Sequence, residues 1–92
     1  MRSEAAETLA AEALAWIAGS DDLMGVFLGA TGAAVADLQA RAAEPEFLAS
    51  VLDFLMMDDA WVTGFCDAHN QPYDAPMRAR AALPGGDVPT WT

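Results

Sequence analysis

Ninety-two residues carry fourteen acidic side chains against four arginines and no lysine, a net charge of −10, and 54% of the residues are hydrophobic. That length holds one domain with a small core, and the hydrophobic content excludes disorder of the whole chain. The charge excludes nucleic acid and anionic membrane surfaces as direct partners, because both are held chiefly through basic residues.

Alanine is much the commonest residue and leucine is abundant, whereas isoleucine and tyrosine each occur once. Strong helix formers dominate and strand formers are scarce, so the expected fold is all-α. We expect a compact bundle of five or six short helices. The start, "MRSEAAE", lacks the basic-then-apolar order of a secretory leader, and the longest uncharged run, residues 23–36, is too short to span a bilayer. The single cysteine forms no internal disulfide. A soluble cytoplasmic protein is the resulting expectation.

Helix one is predicted over residues 4–18, with Ser3 as its cap and Glu4 and Glu7 at the positive end of the helix dipole. Leu9, Ala10, Ala13, Leu14, Trp16 and Ile17 share its apolar face, and Gly19 supplies a left-handed stop. Ser20 opens helix two and Asp21 and Asp22 fill its first turn. Leu23, Met24, Phe27 and Leu28 form its apolar face, and Gly29 and Gly32 close it. Helix three, residues 33–43, is weakly amphipathic through Val35, Leu38 and Ala42.

Glu44-Pro45 is a clean break, since proline suits the first helical position and restricts the residue before it. Helix four follows over residues 45–57, and its Phe47, Leu48, Val51, Leu52, Phe54 and Leu55 make the strongest apolar stripe in the chain. Asp58 or Asp59 caps helix five, residues 59–69, whose face is Trp61, Val62, Phe65 and Cys66. Asp74 caps helix six, residues 75–83, and residues 84–92 read as a flexible tail of turn residues. A single helical domain over residues 1–83 results.

Shifting the chain against itself by 38 residues aligns Leu14 with Leu52, Trp16 with Phe54, Asp21 with Asp59, Leu23 with Trp61, and Phe27 with Phe65. This pattern suggests two pseudo-repeated three-helix units, residues 4–43 and 45–83. Amphipathic helices of similar length also align by pattern alone, so duplication and coincidence both stand. Either way, neither trio buries enough surface to hold together by itself.

Cys66 and His69 are the obvious chemical candidates. Three apart on a helix, they share a face, and an imidazole there could activate the thiol. The negative end of a helix dipole is the wrong place to stabilise a thiolate, however, and the shift sets Leu28 against Cys66. We expect a structural cysteine. No second cysteine or histidine exists to complete a metal site, and the pairs Asp21-Asp22 and Asp58-Asp59 sit where capping needs them, so no metal, cofactor or catalytic residue is expected. Gly25 and Gly29 are expected to let another helix of the domain pack closely. Arg78 and Arg80 form the only basic cluster, too little for a DNA-reading helix in so negative a field. Trp91, in a proline-flanked tail, is expected to dock on its own domain or to anchor on a partner.

The run "FLGATG", the following "RAA" helix, "EPEFLASVLDFLMMDDAWVTGFC" and "ARAALPGG" together resemble a small helical family found mainly in alphaproteobacteria, domain of unknown function 3572. The resemblance covers residues 7–86, and implies a short, soluble, helical bacterial protein. It implies no activity, cofactor or catalytic residue, and Cys66 and His69 are not among the family's hallmarks.

These readings favour a non-enzymatic protein-interaction module with a protein partner, or a homo-oligomer. Two alternatives stand beside it: a small thiol-dependent enzyme or redox protein using Cys66 with His69, and a regulator that binds a transcription factor.

Overall fold

The strongest apolar stripe of the sequence becomes the centre of the fold. In the computed structural model, which describes residues 1–84, Pro45 opens helix α4 (Pro45–Leu55), and Phe47, Leu48, Ala49, Val51, Leu52, Phe54 and Leu55 are buried along it. Five more helices complete the described chain: α1 (Ser3–Ala18), α2 (Asp21–Thr31), α3 (Val35–Arg41), α5 (Asp59–His69) and α6 (Ala75–Ala81). No strand occurs among the described residues, so the all-α expectation holds with six helices. α1 lies along α4, α6 packs on both, and α2 also touches both. No single helix among the described residues is long and apolar enough to cross a membrane. Trp91 and the rest of the expected tail beyond Pro84 lie outside the described residues.

Edge-to-face aromatic contacts tie the elements together. Phe27 of α2 is fully buried and meets Phe54 at 5.2 Å and Phe47 at 6.1 Å between ring centroids. Phe65 of α5, also fully buried, meets Trp16 of α1 at 6.1 Å. Each such pair adds about 0.5–1.5 kcal/mol beyond the burial of its rings. The contact of Phe65 with Trp16 repeats that of Phe27 with Phe54 at the 38-residue offset, with the two long helices exchanged. A buried ring of α2 therefore reaches α4, and a buried ring of α5 reaches α1.

The helix ends of α2 and α5 keep the same offset. The Ser20 hydroxyl accepts from the Leu23 N–H at 3.3 Å, and the Asp58 carboxylate accepts from the Ala60 N–H at 2.8 Å. At the other ends Gly32 and Asn70 are left-handed, with φ of 73° and 59°. The third helices differ in packing: α6 packs on both α1 and α4, whereas α3 buries only Leu38.

Several local expectations are corrected. Ser3 is the first residue inside α1, not its cap, and no side chain caps that end. Gly19 is right-handed, and the α1–α2 corner is closed instead by the Gly19 N–H on the Ala15 and Trp16 carbonyls. Helix three begins two residues later than predicted, where Asp37 accepts from the Ala34 N–H at 3.2 Å, and this leaves Val35 63% exposed. Helix four ends at Leu55 and helix six at Ala81. The Asp74 side chain caps nothing, and only its carbonyl joins the helix, accepting from the Arg78 N–H at 3.0 Å.

The glycines were misassigned. Gly25 and Gly29 lie on the exposed side of α2, and a Cβ at either would meet nothing within 4 Å. The close approach belongs to Gly64 of α5, where a Cβ would stand 3.0 Å from Cζ2 of Trp16.

Phe27→Ala is expected to lower stability by about 3–5 kcal/mol, read as a shift of the denaturant midpoint. Gly25→Ala and Gly29→Ala should each raise it by about 0.5–1 kcal/mol, since neither methyl meets an obstacle. Gly32→Ala should instead cost about 1–2 kcal/mol, because its φ is left-handed.

Candidate functional site

The register of α5 turns Phe65 and Cys66 into the core and leaves His69 at the helix end. Cys66 is 0% exposed, and its thiol donates to the Pro72 carbonyl oxygen at 3.4 Å. Burial, with the nearby charges of Asp67 and Asp74, pushes the thiol above its ordinary pKa of 9.0. His69 turns to other groups. Its ring lies 4.8 Å from the Phe65 ring, and Nδ1 is 4.0 Å from Oε1 of Glu12 on α1. Cysteine and histidine are thus neighbours in sequence with separate partners, and the thiol is held protonated rather than activated.

Asp67, next to Cys66, is also occupied locally. The Tyr73 hydroxyl donates to Oδ1 of Asp67 at 2.7 Å, and that bond raises the phenol's pKa above its ordinary 10.0. Among the described residues no three His, Cys, Asp or Glu side chains converge as a metal site. Arg80 is turned onto its own domain, donating from Nε to Asp53 at 2.7 Å and from Nη1 to the Pro84 carbonyl at 3.0 Å.

Two surface grooves deserve comparison. The larger, about 420 Å³, runs past Thr31, Arg41, Phe47, Ser50, Asp53 and Met57. Its polar groups already have partners: Arg41 sits 4.7 Å over the Phe47 ring, Ser50 donates to the Phe47 carbonyl at 2.6 Å, and Asp53 holds Arg80. The second, about 350 Å³, lies where α1, α2 and α5 meet, lined by Trp16, Ser20, Asp22, Leu23, Val26 and Trp61. Trp61 stacks on buried Phe54 at 4.8 Å, and Trp16 rests on Phe65 and against Gly64. Both indoles are half-buried, supported from behind by core aromatics and open to the groove. Val26 completes the lining and is 51% exposed.

Sequence reasoning placed Trp16 and Trp61 on apolar faces facing the core and did not single out this groove. The signal that could have found it was Val26, an apolar residue off the apolar stripe of its own helix. Trp91, the third tryptophan, lies outside the described residues.

A protonated thiol is favoured by the folded chain, so its contribution to stability is present below about pH 9 and is lost as pH rises through the raised folded value. Alkylation of Cys66 is accordingly expected to be slow in the native protein and fast in denaturant. Cys66→Ala should flatten the alkaline loss of stability. Rapid native labelling at neutral pH would contradict this placement.

No curated protein and no solved structure matches the chain. Residues 3–86 match the family described as protein of unknown function (DUF3572). The match covers nearly the whole sequence and all six helices, and the chain belongs to that family.

Proposed function

We propose that this chain is a non-enzymatic protein-interaction module and that a partner protein docks in the groove between Trp16 and Trp61. One observation carries the reading: two tryptophans on different helices are each braced by a buried aromatic ring while part of each indole remains at the surface beside exposed Val26. Tryptophan held rigid in an apolar recess is the kind of residue that dominates binding energy at protein interfaces. The groove is open and has few polar groups aimed into it, which suits an inserted side chain better than an enclosed metabolite. The lone cysteine and the acidic composition support a soluble, cytoplasmic setting, and the family resemblance supports a bacterial one.

A photo-crosslinking residue at position 26 in the full chain, expressed in cells, tests the reading. It should capture a partner that the same residue at Met77, exposed on α6, does not, and capture should fall in Trp61→Ala. Equal capture at both positions, or none at position 26, counts against it.

A further inference from the structure

Aspartates stand at the starts of α2 and α5, the helices that carry Val26 and Trp61 of the tryptophan groove. Asp22 lines it directly. Asp21 precedes it in the first turn of α2. Asp58 caps the helix that carries Trp61, and its carbonyl accepts from the Trp61 N–H at 3.0 Å. Asp59 follows in that helix's first turn. A helix N-terminus carries about half a positive charge. Two carboxylates at each of these ends outweigh it, so both groove-bearing helices start with net negative charge. No basic side chain lines it. Two of the chain's four arginines are tied to acids elsewhere, Arg41 to Glu44 at 3.6 Å and Arg80 to Asp53.

We infer that the groove receives a short cationic segment of a partner protein. A large apolar side chain of that segment seats between Trp16 and Trp61, and flanking lysine or arginine side chains face Asp21, Asp22, Asp58 and Asp59. This rests on the docking reading above and adds the chemistry of the occupant. The recess of about 350 Å³ is near the lower limit of ligand sites, which matches one anchoring side chain rather than a whole helix face. The apolar anchor supplies affinity, and the carboxylates supply steering and orientation. A second copy of this chain, itself carrying −10, would bring like charge to the rim. Phosphate-bearing surfaces would do the same.

A random peptide library displayed against the full-length chain tests the inference, with Trp61→Ala and Val26→Gln chains as parallel baits. Val26 is exposed, so its variant reads the groove without disturbing the core. Peptides retained by the wild type and lost on both variants should be net cationic and carry a large apolar residue. Their affinity should fall by roughly 1.5- to 5-fold for each carboxylate removed in Asp21→Asn and Asp22→Asn, and should fall again as salt is raised. Groove-dependent peptides that are neutral or acidic, or whose affinity ignores both salt and the aspartates, would overturn the cationic occupant while leaving the docking reading in place. Retention of no peptide beyond that of the two variants would overturn both.

Discussion

The fold depends on rings that cross between its two halves. α2 is anchored by Phe27 on α4, and α5 by Phe65 on α1, so a buried ring ties each short helix to the long helix of the opposite half, beside its contacts with the long helix of its own. A unit ending at the α3–α4 junction would leave Phe27 without Phe47 and Phe54, and Phe65 without Trp16. With a core this small, losing two buried rings removes a sizeable part of a total stability on the order of 5–10 kcal/mol. α6 reinforces the arrangement by packing on both long helices, and Arg80 fastens it to Asp53 on α4.

Much of this was legible in the residues. The α4 stripe, the limits of α5, the caps at Ser20 and Asp58, and the burial of Cys66 all follow from local rules: apolar period, a side-chain oxygen before a helix, proline at the first turn. What failed has two sources: competing local choices at helix starts, and contacts made with another element. Ser3 has a capping side chain, yet the helix takes it in and leaves Arg2 at the boundary. Gly25 and Gly29 have the spacing of a close helix crossing, but no helix crosses there, while Gly64 has no sequence cue and faces the Trp16 ring. Val35 fits a helical period only if its helix starts where the sequence suggests, and Asp37 sets a later start.

The stretch around Cys66 and His69 shows how shared spacing differs from shared chemistry. Three residues apart on one helix, the two side chains diverge because burial takes the thiol toward Pro72 while the imidazole lies on Phe65 and reaches toward Glu12. The tryptophan groove is the converse. Trp16, Val26 and Trp61 come from three helices, and only the crossing arrangement of α2 and α5 brings them together. Asp22, in the first turn of its helix, also lines that apolar recess.

The two exposed glycines of α2 have one more consequence. In a helix of eleven residues they leave it weaker by about 1–2 kcal/mol than alanine would. Leu23 and Phe27 pin α2 to the core, while the exposed side that carries the glycines adds little helix preference of its own. The stretch between Gly25 and Gly29 is therefore where α2 depends most on its packing and least on its own helix preference. Val26 of the tryptophan groove stands between those two glycines, so that wall of the groove keeps its shape through the buried Leu23 and Phe27 beneath it.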